Sequence, residues 1–375
     1  MHQQWIWQHP QWPAFTWDMT VLSPALSRAR LAQGKVLGMG RILETTLSRE
    51  AVAAILVQEG LTTSAIEGEQ LDPDSVRSSV AKRLGLPTAG LPKPPRDVDG
   101  LVDVLLDATR HFEVPLSRER LVSWHAALFP TGYSGLLPIQ AGQLRGEEPM
   151  QVVSGRPGHE RVHFQAPGRR ELDQELQRFL TWWNAPHEGL DGLLRAGVVH
   201  LWFVTLHPFE DGNGRLARAL TDMALAQDEQ RAERLFSLSA RILKVREGYY
   251  EMLEKTQGTP SMDITDWLHW FLEQVGAACG AAESTVALTL AKAQFWLRFR
   301  DADLNDRQRK VLNRLLDAGP GGFEGGMSTR KVASLTGASK PTATRDLADL
   351  VQKGCLVPND KRGRSAAYEI AWESP

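Results

Sequence analysis

Ahead of residue 300 the chain offers one clear pair of strand signals, and that scarcity constrains the fold more than any other feature. Met150-Gln151-Val152-Val153 and Arg161-Val162-His163-Phe164 are β-like runs around Ser154-Gly155-Arg156-Pro157-Gly158-His159, whose Gly, Pro and Ser favour a turn. A lone hairpin cannot build a sheet layer, so its apolar face must rest on helices. Helical periodicity covers residues 22–58, where Ser48 ahead of Glu50, Val52, Ile55 and Leu56 reads as a capped start running to Ile66, with Gly68 as the stop. It returns at 72–80, 98–111, 117–128, 170–184, 192–206, 216–227, 246–256 and 264–300, the last in one piece or two. The fold class is mainly α with one hairpin. The Trp- and Pro-rich opening to Phe15 is too irregular for a helix and too aromatic for a loose tail, and is expected to strap across the body.

A chain of 375 residues exceeds what one compact core usually covers, so two or three domains are expected. Four prolines, Pro87, Pro92, Pro94 and Pro95, place the first boundary, giving 1–94, 95–285 and 286–375. Lys and Arg number 43 against 45 Asp and Glu, a net charge of −2, so attraction to nucleic acid or membrane must be local. Two cysteines, Cys279 and Cys355, supply neither a disulfide framework nor a zinc spacing. No run of eighteen apolar residues exists, and the opening lacks a basic segment leading into an apolar one. The expectation is a cytoplasmic protein with no membrane partner.

The segment that carries chemistry is His207-Pro208-Phe209-Glu210-Asp211-Gly212-Asn213-Gly214-Arg215-Leu216-Ala217-Arg218. It reads as the end of an apolar helix, a tight loop and the start of an amphipathic helix. Pro208 stops the first helix; Gly212-Asn213-Gly214 tolerates positive φ, so several N–H groups can turn toward one anion. The second helix adds its positive dipole end, and Arg215 and Arg218 share a face beside it. Phosphate is the anion expected. His207 is a general base near neutral pH, and Asp211 a carboxylate able to hold Mg²⁺ against phosphate oxygens.

These twelve residues match H-P-F-x-[DE]-G-N-G-R-x-x-R, the signature of the Fic/Doc family, at every position. The resemblance covers residues 95–285 and implies a Fic helical core in which the 150–164 hairpin is a flap, Val152, Val153 and Val162 holding a target segment by strand pairing. It implies transfer of AMP from ATP to a Ser, Thr or Tyr hydroxyl of a protein, with His207 as base. Asp211 would hold Mg²⁺, the amides of Gly212, Asn213, Gly214 and Arg215 the phosphates, and the arginines Arg215 and Arg218 the β- and γ-phosphates. Tyr249 and Tyr250 lie where such proteins pack near the adenine, with core packing as the alternative. Val245 stands where relatives often have Asn. Upstream, Thr63-Ser64-Ala65-Ile66-Glu67-Gly68 is similar to the inhibitory motif [ST]-x-x-x-E-[GN], in which the glutamate, here Glu67, pairs with Arg218 and displaces the γ-phosphate. The Trp-rich opening and Leu71-Asp72-Pro73 resemble an N-terminal domain often fused to Fic cores, and self-inhibited relatives often form homodimers. Removal of AMP, transfer of another phosphate-containing group, or a DNA-binding regulator with an ATP-sensing core are the alternatives.

From Asn305 the pattern changes to three short helices: Val311, Leu312 and Leu315 mark one, Ser328 opens a second, and Ser339 caps a third with Ala343, Leu347 and Leu350 inward. This is helix-turn-helix spacing, and strand-like runs around Asn359-Asp360-Lys361-Arg362-Gly363-Arg364 complete a winged helix. Residues 327–364 hold eight Lys and Arg against three Asp. For DNA, Lys340, Thr342, Thr344 and Arg345 are the groove candidates, and Lys361, Arg362 and Arg364 the phosphate contacts of the wing. Docking to a protein or a second copy is the competing use.

Overall fold

Short polar caps and prolines set most helix bounds. The computed structural model describes residues 4–42, 46–86, 88, 91–154, 161–319, 323, 325–359 and 367–372. A 3₁₀ turn at Ile6–Gln8 precedes α1 (Met19–Ile42) and α2 (Thr46–Ile66). α3 (Pro73–Leu84) starts where Asp72 accepts the Ser75 N–H, and α4 (Arg96–Arg110) follows Pro94 and Pro95. α5 (Arg118–Leu128) is capped by Ser117. Two antiparallel pairs follow, β1 (Tyr133–Ser134) with β2 (Leu137–Pro138), and β3 (Gln151–Ser154) with β4 (Arg161–Gln165). The remaining helices of this part are α6 (Arg169–Asn184), α7 (Gly192–Leu206), α8 (Asn213–Glu229), α9 (Leu238–Lys244), α10 (Arg246–Gln257) and α11 (Thr265–Arg298).

The chain divides into two compact units, Met1–Glu283 and Ser284–Pro375. In the first, α7 is the centre. Leu193 to Leu206 are all buried, as an all-round apolar helix requires, and α8 packs along it. Phe179 and Trp202 meet edge to face at 5.5 Å, and Trp267 Nε1 donates to Gly197 O at 2.8 Å. The opening does strap across this body: Ile6 is fully buried, Trp12 Nε1 donates to Glu175 Oε2 at 2.8 Å, and Trp5 packs edge-on against Phe164 of β4.

Several elements differ from the sequence expectation. Compactness puts the break between Glu283 and Ser284, because the proline cluster does not separate two cores: Leu101 and Leu105 share one with Ile6 and Leu22. α8 begins at Asn213, three residues before the first periodic apolar position, since Gly212 supplies its N-cap. α9 was not expected; it is seven residues long, with a Ser237 cap and only Leu238, Ser239 and Ile242 buried. Strands of two residues, such as β1 and β2, leave no alternation to read.

In the second unit, α12 (Asp306–Ala318) opens on an Asn305–Gln308 capping box, and α13 (Thr329–Thr336) and α14 (Lys340–Gln352) on Ser328 and Ser339. β5 (Leu356–Pro358) pairs antiparallel with β6 (Tyr368–Ile370), and Met327 bridges to Tyr368. Leu312, Leu316, Val332, Ala343, Leu347 and Leu350 form its core, while Arg307 Nε donates to the inward Asp346 at 2.8 Å. Lys361, Arg362 and Arg364 lie outside the described residues. Among the described residues, no helix is long and apolar enough to cross a membrane.

Candidate active site

His207 sits at the C-cap of α7 in the left-handed conformation, φ 47° and ψ 59°. Few non-glycine residues adopt it, and here it ends the helix and turns the chain into Pro208. The ring is half-buried, with Nδ1 3.0 Å from Val204 O. A carbonyl can only accept, so Nδ1 carries the hydrogen and Nε2 keeps its lone pair. Burial lowers the His207 pKa, the Val204 carbonyl opposes that, and the nearby Arg145 cation adds to the lowering. A base with this tautomer is unprotonated at neutral pH.

The loop after it is closed by Asn213, whose Oδ1 accepts the Phe209 N–H at 3.0 Å and whose Nδ2 donates to Phe209 O at 2.8 Å. Its side chain is therefore a staple, leaving its backbone amide for a ligand. Gly212 has φ +76°, and a Cβ there would lie 2.8 Å from the Phe129 ring, so both backbone and space require glycine. Phe209 is fully buried and stacks on His125 at 4.2 Å. His125 Nδ1 accepts the Gly142 N–H, and burial pushes this ring down to about 4, so it is a neutral packing group.

Asp211 is half-exposed at the loop tip; Oδ1 accepts the Gly212 N–H at 2.6 Å, and Oδ2 the Ser134 hydroxyl. Ser134 lies on β1, which is how that small strand pair enters the site. Among the described residues, no three or more His, Cys, Asp or Glu side chains gather to hold a metal. A single oriented carboxylate fits a magnesium ion whose other ligands are water and substrate phosphates.

Arg218, on α8, is 2% exposed. Its Nε donates to Thr63 Oγ1 at 2.7 Å, and Nη2 to Thr63 O at 2.9 Å and Glu67 Oε1 at 2.6 Å. Burial works against its charge, but Glu67 and the tyrosines outweigh it and the pKa is raised. Nη1 has no partner among the described residues and lies beside Gly214, where a Cβ would be 3.2 Å from it and 2.1 Å from Glu67 Oε1. The Glu67 carboxylate thus occupies the place at the N-terminus of α8 where an anion would sit. Arg215 stacks on Phe129 at 4.8 Å and donates from Nη1 to Glu69 Oε2 at 2.9 Å.

The structure brings His207, the 212–215 amides, Arg218, Thr63 and Glu67 together. It separates the tyrosines. Tyr249 is buried in the core with its hydroxyl 2.8 Å from His200 Nε2, the packing alternative. Tyr250 is partly exposed, and its hydroxyl donates to Ile66 O at 3.2 Å, beside Arg246 Nε on the same carbonyl at 2.7 Å. The flap pairs Val153 with Val162 and Val152 with Phe164, with a bulge between; residues 155–160 lie outside the described residues. Sequence reasoning passed over Ser134, Arg145 and Glu69. Only Glu69 carried a signal, a carboxylate two residues beyond the motif glutamate across Gly68.

Residues 115–225 match the family model Fic/DOC family. The chain carries a Fic/DOC family domain. Residues 5–86 match a domain of unknown function, DUF4172. The protein adenylyltransferases Fic of Drosophila sechellia and Drosophila melanogaster are 37% identical over 89 residues, 24% of this chain and 16% of theirs. The chain therefore spans less than a fifth of the length of those relatives. A Fic family protein from Desulfovibrio desulfuricans G20 shares the fold at a TM-score of 0.53 and 19% identity, covering 94% of this chain and 97% of its own. A Fic domain containing signaling protein from Bacteroides thetaiotaomicron covers 69% of this chain and 95% of its own, with a TM-score of 0.51 and 17% identity.

Proposed function

We propose that the chain is a protein adenylyltransferase held in check by its own Glu67. What carries the reading is the juxtaposition of a histidine with a free Nε2, a helix N-terminus with glycines against it, and an arginine whose anion-binding side is taken by an internal carboxylate. The target hydroxyl gives its proton to His207 Nε2 as its oxygen attacks the α-phosphorus of ATP. The bond from that phosphorus to the bridging oxygen breaks, and pyrophosphate leaves. Amides 212–215 and Arg215 bind phosphate oxygens and hold them in line. Asp211 would hold Mg²⁺, which supplies positive charge against the phosphates. With Glu67 against Gly214 and Arg218, the γ-phosphate has no seat, and ATP enters in an unproductive pose. Release of Glu67 is then the activating event.

Incubation with α-labelled ATP, Mg²⁺ and lysate, followed by mass spectrometry, tests this: labelled protein carrying AMP is expected, and γ-label transfer without α-label would replace AMP transfer with phosphate transfer. For the C-terminal unit we propose a DNA-binding winged helix, supported by α14, on which Lys340, Thr344 and Arg345 are exposed opposite the buried Ala343 and Leu347.

A further inference from the structure

Arg145 is 2% exposed and forms no ion pair among the described residues, although a buried cation ordinarily needs one. Its partners are carbonyls. Nε donates to His207 O at 2.8 Å, Nη2 to Pro167 O, and its backbone N–H to Pro208 O at 3.0 Å. Nη1 has no partner among the described residues. Two of these carbonyls are the consecutive peptide groups that follow the His207 and Pro208 Cα atoms, where the chain makes its left-handed turn. The third lies just beyond β4, at the base of the hairpin.

We propose that Arg145 is a positioning residue for transfer: it fixes the peptides after His207 and joins the catalytic turn to the base of the flap. The proposal rests on His207 being the base. The turn has no other charged side chain clamping its carbonyls among the described residues, and φ 47° at a histidine persists only where surroundings over-determine it. Burial moves the Arg145 pKa down to about 10, with Arg169 adding to this and Glu171 opposing, so the group is a cation at neutral pH. It faces His207 together with Glu67 from α2 and Asp211 from the loop, which act in the opposite sense on the ring.

Geometry and charge separate in two variants. Arg145→Lys keeps the cation but cannot span two carbonyls, whereas Arg145→Met loses both. In the Glu67→Gly background, both should lower kcat by roughly ten-fold to a hundred-fold, the cost of about an ångström of misplacement, with KM for ATP within about twofold. Only Arg145→Met should raise the His207 pKa, followed by NMR of the ring Cε1–H without nucleotide or metal, and shift the acid limb of the kcat profile upward. Wild-type kcat in folded Arg145→Lys overturns the proposal, as does a kcat loss in Arg145→Met matched by an equal fall in melting temperature and an unmoved His207 titration. If Arg145→Met does not fold, the Lys variant decides alone by kcat. Undiminished transfer by His207→Ala would defeat the base assignment instead, while the NMR titration would still report whether Arg145 faces that ring.

Discussion

Arg215 donates a charge-assisted hydrogen bond to Glu69 at 2.9 Å, two residues beyond the Glu67 that holds Arg218. Both signature arginines are thus engaged by one short segment after α2. Glu69 is 41% exposed, so its pair is screened and weaker. Glu69→Ala alone should raise transfer only roughly 1.4-fold to fivefold, the worth of an exposed pair. Added to Glu67→Gly, it should give a further gain, read as initial rates of α-label incorporation. An unchanged double mutant would make the Glu69 interaction incidental.

Glu67→Gly should raise activity by roughly ten-fold to a hundred-fold, since a charge-assisted hydrogen bond is worth about 1.5 to 3 kcal/mol and each 1.4 kcal/mol is tenfold. Self-modification should rise with it. Arg218→Ala in the same chain should cancel most of the gain, because the released arginine is then missing. Equal or lower activity in folded Glu67→Gly, measured beside wild type, would reduce Glu67 to a helix-end carboxylate.

His207→Ala should abolish transfer while calorimetry finds ATP affinity little changed, because the amide cradle and arginines remain. In the active protein, a lowered His207 pKa keeps the base form populated below the usual histidine midpoint. The acid limb of kcat/KM should therefore lie below about pH 6.5. A limb above that value would contradict the environment described.

Stability should fall on acidification for a reason outside catalysis. His125 and His200 are buried and neutral, with pKa values pushed down to about 4 and about 3 by burial. The unfolded chain binds their protons near pH 6.5 and the folded one does not, so stability is full above that pH and is lost toward pH 4. For His125 the loss is roughly 3 kcal/mol. Denaturant melts between pH 7 and pH 4.5 measure it. A His125→Asn variant with an unchanged slope would assign the loss elsewhere.

If α14 reads DNA, Lys340→Ala and Arg345→Ala together should weaken binding and flatten the dependence of log K on log salt by about one unit for each phosphate these side chains neutralise. Fluorescence anisotropy at low salt reports both. No binding by the wild type would retire the role.

The helices were legible where period and cap agreed: 192–206 is apolar throughout and bounded by Asp191 and His207, and both bounds were anticipated. So was the pairing of Glu67 with Arg218, because a motif and its partner are both local strings. Arg145 was not legible. Nothing near it in sequence shows that a residue 62 positions away supplies the carbonyl it holds. Ser134 was hidden likewise, since its relation to Asp211 is created by a two-residue strand pair.

The seat shared by Glu67 and an incoming phosphate makes inhibition a matter of competition inside one molecule. A tethered carboxylate acts at an effective concentration set by α2 and Gly68, and that concentration does not change when the protein is diluted. Nucleotide can compete with it; dilution cannot. For an inhibitory Glu67, restraint would then be a constant discount on productive ATP binding, and a partner that drew α2 back by a few ångströms would remove the discount without touching the catalytic turn.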